Sequence, residues 1–441
     1  MEQLDRGRLF GYGVGSVGTG IFGAVPGLLL LFFLTDTLGV AAGWAGLVLL
    51  VPKAWDVLLN PVVGAWADRT AARGGSRTPY LMAGAVGLPV LFFAMFAVPF
   101  DGPVSGGLWV GLFFLLAATA YSPFQVNYVA LPAEMTDDKQ ARTRIVSWRV
   151  VLMTVGILLG GGLAPALTEL AGGGRAGHAL MGAVIGLVLA ASMVTATLST
   201  RWVRSRPAPP MGLRESFALA RGNKPFLVLL GAWVLQSLAV NVMLAGAPYL
   251  ATYRLDDYGW TSVLFVALVA PSIVAMPLWV RAARRWGKAP CLFAATLGYA
   301  LVTLSLLFTG SPGQVWLVVG QCVLLGVGYA AMQLLAISLL PDTVSDDEAR
   351  TGQRQAGALT GVWTAGEVVG AAAGPALYAL VLAVTSFVSS PADERVTQPS
   401  SALTGVLVGM TVLPAVLLLV SLPLLARFAR QVGPAPLAVP A

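Results

Sequence analysis

One pattern constrains this chain more than any other: twelve stretches of about twenty mostly apolar residues follow one another, separated by short polar breaks. About 20 residues at 1.5 Å per residue cross the hydrocarbon of a bilayer. Inside lipid each backbone N–H and C=O must find its partner within the segment or a closed sheet, so stretches of this length are read as helices. The expected spans are 9–35, 41–67, 79–99, 107–132, 144–168 and 179–200, then 225–251, 258–281, 289–309, 313–340, 354–384 and 403–426. With 57% hydrophobic and 11% charged residues among 441, no single soluble core accommodates this surface. The expected fold is therefore an all-α membrane protein of twelve transmembrane helices in two pseudo-symmetric six-helix bundles. Residues 1–200 form the first bundle, 201–224 a cytoplasmic linker, and 225–441 the second bundle with a short tail.

A net charge of +7 would suggest nucleic acid in a soluble protein, but the charges lie on one side of the membrane. With both termini in the cytoplasm, every Lys and Arg except Lys53, Arg175, Arg254 and Arg395 falls in a cytoplasmic segment or at its helix mouth. That distribution obeys the positive-inside rule and places the chain in the cell inner (plasma) membrane as a multi-pass protein, with no nucleic-acid partner. The first apolar run is too long for a signal-peptide core and is read as an uncleaved helix. Cys291 and Cys322 both lie in apolar spans and are expected to be free thiols.

The chain repeats itself. Leu131-Pro132 opens a loop with Asp137-Asp138 and Ala141-Arg142-Thr143, and Leu340-Pro341 opens one with Asp346-Asp347 and Ala349-Arg350-Thr351. Thr154, Gly156, Gly160 and Pro165-Ala166-Leu167 recur as Thr364, Gly366, Gly370 and Pro375-Ala376-Leu377 at a constant offset of 210. Parallel six-helix repeats are the arrangement of facilitator-type transporters, whose solute site lies near the midplane. The four-residue glycine spacing is read as close helix packing.

An ionisable side chain at bilayer depth costs about 2.5–3.5 kcal/mol on insertion scales, so each marks a place to look for function. Lys53, Asp56 and Asn60 sit three and four apart on the second span and share one helix face. Either Lys53 and Asp56 neutralise each other and orient the helix, or Asp56 takes a cation or proton whose affinity Lys53 tunes; the second reading is favoured. Glu367 stands in the eleventh span where the first repeat has Ile157, which assigns it to solute or proton. The fourth span carries Tyr121, Ser122, Gln125, Asn127 and Tyr128, spaced to line a solute cavity or to bridge neighbouring helices. Gln236, Asn241, Gln321 and Gln333 are read the same way with less weight, and His178 as an interfacial residue. No catalytic triad, metal cluster or phosphate-cradling loop is present in the sequence, and no enzyme or organic cofactor is expected.

Asp68-Arg69-Thr70 and Gly74-Gly75-Ser76-Arg77-Thr78-Pro79-Tyr80 join the second and third spans. They resemble the cytoplasmic signature of the major facilitator superfamily, in which a helix-end acid and loop arginines lock one state. Asp68, Arg69, Arg77, Glu134, Arg142 and Arg149 are expected to form that gate. The second half keeps Arg284, Arg285, Gly287, Lys288 and Pro290 but has no equivalent of Asp68.

From Lys53-Ala-Trp55-Asp56 through Asn60-Pro61 and Gly64 to Asp68-Arg69-Thr70 the sequence resembles the glycoside-pentoside-hexuronide cation symporter family, which includes the melibiose carrier. Asn127-Tyr128-Val-Ala130-Leu131-Pro-Ala-Glu134 and Arg354-x2-Gly357-x5-Trp363 add to the match. The resemblance implies cation-coupled transport of a solute. Asp56 matches one of two family carboxylates that bind the coupling ion, Asn60 replaces the other, and Ser122 falls at a hydroxyl ligand for sodium. Gly20 and Gln125 stand where the melibiose carrier has its sugar-recognising acids, and Val368, beside Glu367, where it has a lysine.

The function expected is secondary active transport by alternating access, with a proton or sodium ion driving symport of a small polar, glycoside-like solute into the cell. Lys53, Asp56, Asn60 and Ser122 are assigned to the ion, and Gly20, Tyr121, Gln125, Asn127, Tyr128, Trp363 and Glu367 to the solute. A proton-coupled exporter of a drug or metabolite, and a lysophospholipid transporter or flippase, are the alternatives. The expected partners are the solute and membrane lipid, and the protein is expected to act as a monomer.

Overall fold

The computed structural model describes residues 6–136, 138–203, 220–309, 311–351, 356–392 and 396–432. Twelve of its helices are long and apolar enough to cross a membrane, and each covers one of the expected spans. In the first half these are α1 (Arg6–Phe32), α2 (Ala42–Ala72), α3 (Thr78–Phe96), α4 (Pro103–Met135), α5 (Lys139–Leu158) and α6 (Gly174–Thr200). The second half has α7 (Lys224–Arg254), α8 (Trp260–Trp286), α9 (Lys288–Ser305), α10 (Val315–Thr351), α11 (Ala356–Val384) and α12 (Ser400–Val432). Two spans continue beyond the regular helix. α1 runs through a π turn at Phe33–Thr37, and α5 passes through one at Leu159–Leu163 into Ala164–Leu170. Most helices outrun the expected spans because hydropathy marks the lipid-facing length, whereas helical hydrogen bonding continues until a cap or a breaker ends it. Asp138 is such a cap for α5, accepting from the backbone N–H of Gln140 at 3.0 Å. Its neighbour Asp137 and most of the expected linker lie outside the described residues.

The chain divides into two compact units, Met1–Pro210 with Leu382–Ala402, and Met211–Val381 with Leu403–Ala441. In the first unit α1 packs on α5 and α6, α3 on α4 and α6, and α2 on α4. The α1–α5 seam is set by glycine. A Cβ added to Gly156 would run into the backbone of Val17, and one on Gly20 into the carbonyl of Met153. Gly20 is thus a buried packing position, which corrects its expected contact with solute: the space in front of it is filled by α5. The second unit repeats the device, with Gly366 and Gly370 of α11 against Leu230, Val234 and Ser237 of α7. The matched glycines of the two repeats both make room for a neighbouring helix, Gly156 for the backbone of α1 and Gly366 for side chains of α7.

Residues 382–402 join the first unit through backbone pairing. Ser390 N–H donates to Thr35 O at 3.1 Å, Ala392 N–H to Thr37 O at 3.3 Å, and Leu38 pairs with Pro391 in an isolated antiparallel bridge. The π turn ending α1 presents those carbonyls, because its wider hydrogen-bonding leaves them for an outside donor. His178, expected at an interface, is instead buried between Phe33 and Phe96, with ring centroids 4.5 and 6.2 Å away and Nδ1 2.7 Å from Gly174 O. Cys291 and Cys322 are free and buried.

Candidate functional site

The second span brings its charged face into the first unit. Asp56 is 7% exposed, and its Oδ1 is buried with no hydrogen-bond partner. Lys53, one turn earlier, is in electrostatic contact with it and stands 5.8 Å from the centroid of the Phe22 ring on α1. An ammonium over an aromatic face is held by the ring quadrupole, so Lys53 is positioned by π-electrons as well as by the carboxylate. Asn60, one turn beyond Asp56, accepts a 2.6 Å hydrogen bond at Oδ1 from Ser122 Oγ of α4. The structure thus brings Lys53, Asp56, Asn60 and Ser122 together, and adds Phe22. Phe22 was not among the expected residues because an aromatic on an apolar helix carries no polar signal.

The α4 face from Tyr121 to Tyr128 lies beside this group. Tyr121 packs on Phe22 with centroids 4.7 Å apart and feels the charges of both Asp56 and Arg149. Gln125, one turn on, has its Oε1 buried and unpaired. Tyr128 is fully buried and stacked on Tyr12 at 4.6 Å, and its hydroxyl is already engaged: it donates to Tyr12 O at 2.6 Å and lies 2.8 Å from Ser16 Oγ. Its edge is closed to a solute hydrogen bond. Arg149 of α5, expected at the gate, stands instead over the Tyr128 ring at 5.9 Å, with its Nε buried and unpaired. Position 149 lies about 15 Å along α5 from the helix start, too deep for a loop-level lock.

Of the residues expected at the gate, Asp68, Arg77 and Glu134 come together, and Asn127 joins them. Arg77, 6% exposed at the start of α3, donates from Nη2 to Asp68 Oδ1 at 3.1 Å, from Nε to Glu134 Oε1 at 2.9 Å, and from Nη1 to Asn127 Oδ1 at 2.9 Å. One guanidinium therefore ties α2, α3 and α4 at one end of the first unit. The guanidinium's five donors in a fixed planar fork suit it to three acceptors on separate helices. Asn127 belongs to this lock, which corrects its assignment to solute: its oxygen is taken by Arg77 and its Nδ2 donates to Pro123 O at 2.8 Å. Arg69 is exposed and does not join. Arg142 closes its own turn, donating to Thr136 O at 3.1 Å.

In the second unit Trp363 is 3% exposed and stacked on Trp233, with centroids 5.2 Å apart and planes at 15°. Both indole nitrogens are buried without a partner. Glu367, four residues on, is exposed, and makes no ion pair among the described residues. Tyr329, which accepts from Gln333 Nε2 at 2.8 Å, lies within its electrostatic reach. The acid with no equivalent at position 68 is supplied from elsewhere. Lys288, opening α9 as Arg77 opens α3, donates to Asp342 Oδ2 at 2.6 Å and to Ser338 O at 3.0 Å. Both partners are on α10, just around Pro341, the repeat of Pro132.

Comparison with known proteins places the chain among membrane transporters. The family model described as MFS/sugar transport protein matches residues 11–429. An uncharacterised symporter, YnaJ, of Bacillus subtilis is 26% identical, with 96% of this chain and 91% of that one aligned. The putative glycoside/cation symporter YagG of Escherichia coli is 25% identical over 95% of this chain and 90% of its own. Among solved structures the nucleoside transporter NupG superposes with a TM-score of 0.65 at 14% identity, covering 96% of this chain and 98% of that one, a likeness of fold.

Proposed function

The chain belongs to the MFS/sugar transport protein family, and from that premise we propose that it is a proton- or sodium-coupled symporter of a small polar, glycoside-like solute, working by alternating access. It is a membrane transporter and not an enzyme. The observation that carries the coupling is Asp56: a carboxylate 7% exposed, with one oxygen unpaired and a single fixed cation, Lys53, beside it. A buried carboxylate in that setting gains most from an incoming positive charge. The proton is the first candidate. A hard cation wants several oxygen ligands, whereas Asn60 Oδ1 and Ser122 Oγ are bonded to each other and the second acid is replaced by the neutral Asn60. Sodium is the second, taking Asp56, Asn60 and Ser122 as oxygen donors. The glycoside assignment draws on the family and on the name of the Escherichia coli relative. Both termini are assigned to the cytoplasmic side of the plasma membrane from the placement of basic residues.

Purified protein in liposomes tests this. Labelled sugars and sugar acids should accumulate against their gradient when an inward proton or sodium gradient is imposed, and Asp56→Asn should leave equilibration but remove the accumulation. Accumulation in that variant at the wild-type level would rule out Asp56 as the coupling group, and absence of gradient-driven accumulation for every solute would rule out symport.

A further inference from the structure

The two repeats join their last two helices with very different lengths of chain. Residues 171–173 carry the first repeat from the end of the α5 span to α6, whereas residues 385–399 carry the second from α11 to α12. Three residues are therefore enough for this corner, and joining helices does not explain the longer connection. Its place in the fold is also unlike that of its helices. Residues 382–402 group with the first unit, although α11 and α12 lie almost wholly in the second.

The segment 386–392 is built to dock. Ser386, with a φ of 61°, turns the chain away from α11. Gln398 then fastens it, accepting from Val388 N–H at 3.0 Å and donating to Val388 O at 2.7 Å. At 8% exposure Gln398 shields this pair of bonds from water. Beyond the clamp, Ser390 and Ala392 donate to Thr35 O and Thr37 O of the π turn, and Pro391 seats against Gly39. Gly39 has a φ of 71°, and a Cβ there would lie 3.0 Å from Pro391 Cδ, so the glycine clears the seat. Gly174 lines it, its absent Cβ 3.6 Å from that of Ala392. No residue from Ser386 to Ala392 is charged, so docking uses backbone hydrogen bonds and shape.

The seat lies where α1 gives way to α2, at the end of the first unit opposite the Arg77 lock, which sits where α2 gives way to α3. One end of this unit is fastened by charge and the other by backbone. Resting on alternating access as read above, we propose that residues 386–392 are a detachable latch, docked on the π turn of α1 while that end of the carrier is closed and released when it opens. A segment held by one bundle and continuous with two helices of the other must yield when alternating access moves the bundles. The Gln398 clamp takes up the slack of the longer connection. The give therefore falls on Ser390 and Ala392, whose hydrogen bonds are weak enough to break and reform in each cycle.

A reversible disulfide tests the latch without a known solute. Leu38 and Pro391 face each other across the antiparallel bridge, a setting in which opposed Cβ atoms stand about 4.5–5.5 Å apart and a disulfide closes with little movement. The reporter is Gln125→Cys on the polar face of α4, its reaction with an impermeant maleimide followed by mass spectrometry in right-side-out and inside-out vesicles. In Leu38→Cys/Pro391→Cys/Gln125→Cys the disulfide should bring labelling from one face of the membrane to background, spare labelling from the other, and be relieved by reduction. Ala392→Pro removes the N–H given to Thr37 O at an exposed position. It should act oppositely, speeding labelling from the same face about 2- to 10-fold, the worth of one backbone hydrogen bond. Should the cysteine pair prevent folding, Ala392→Pro carries the test alone. Labelling indifferent to the disulfide or to Ala392→Pro would overturn the latch, and so would a reduced protein that never labels from that face, since the end would then never open. Liposome accumulation separates the two readings. Gradient-driven accumulation with indifferent labelling removes the latch and keeps the symporter, whereas labelling governed by the disulfide without accumulation keeps the latch in a carrier that is not a symporter.

Discussion

Arg77 ties three helices of the first unit, and its connections explain why it tolerates burial. The desolvation cost of a guanidinium at 6% exposure is offset only when its donors are matched, and here two carboxylates and an amide oxygen match them. Glu134 is equally dependent, with its side chain 6% exposed. Replacing Arg77 by Met should therefore strand Glu134 and Asn127 and cost about 3–5 kcal/mol, the range for breaking a buried pair. The equivalent change Lys288→Met should cost under about 1 kcal/mol, because Lys288 and Asp342 are 39% and 44% exposed and water screens them. Thermal unfolding of the two variants side by side checks the ranking, and equal losses would contradict it. The sequence made part of this readable. Asp68 and Arg77 stood out as a helix-end acid and a loop arginine, but Asn127 looked like any polar residue in a membrane. Whether such a side chain faces solute or a neighbour depends on its partner, and that partner is 50 residues away. The Lys288–Asp342 pair was illegible for the same reason: the acid was sought on α8, where the first repeat has it, and it lies on α10.

At the scale of helices, the spans were legible because lipid leaves the backbone almost no alternative to helix. The seams between helices were legible only as a spacing of glycines. That spacing says that two backbones meet, not which two, and so Gly20 read as a lost sugar ligand when it is the place where α5 crosses α1. Trp363 was singled out by the family match, but its stacking partner Trp233 gave no signal, since an aromatic residue in an apolar helix forms no pattern that names a partner. The seam supports a direct test. Gly156→Ala puts a methyl group against the backbone of Val17, which cannot rotate away as a side chain can, and should destabilise by about 1–3 kcal/mol with reduced folded yield. Gly23→Ala on the same α1 should be neutral, because nothing lies within 4 Å of its added methyl. Yield and thermal unfolding of both variants decide the matter. If Gly156→Ala matches Gly23→Ala, the glycine serves helix bending and not contact.

For the whole molecule, orientation decides on which side of the membrane the Arg77 lock acts. The charge distribution argues for cytoplasmic termini: the loop between α2 and α3 carries Arg73 and Arg77, whereas the turn between α3 and α4 carries only Asp101. Cysteine labelling reads this out on a quiet background, because Cys291 and Cys322 are 4% and 5% exposed. Gly74 is a suitable reporter, with open space around it and a positive φ of 78° marking a turn, although a cysteine there bears some backbone strain. Asp101 is the opposite reporter. Its side chain is fully exposed, and its pair with Arg175 is worth little at such a surface. A membrane-impermeant maleimide applied to intact cells should label Asp101→Cys at once and Gly74→Cys only after the membrane is opened. The reverse pattern would invert the protein. Coupled flux would still run down the ion gradient, because the direction of symport is set by the gradient and not by which end of the carrier faces out. The lock at Arg77 would then stand on the outer face, however, and the conformational assignment of Asp68, Arg77 and Glu134 to a cytoplasmic gate would have to be rebuilt from the opposite side.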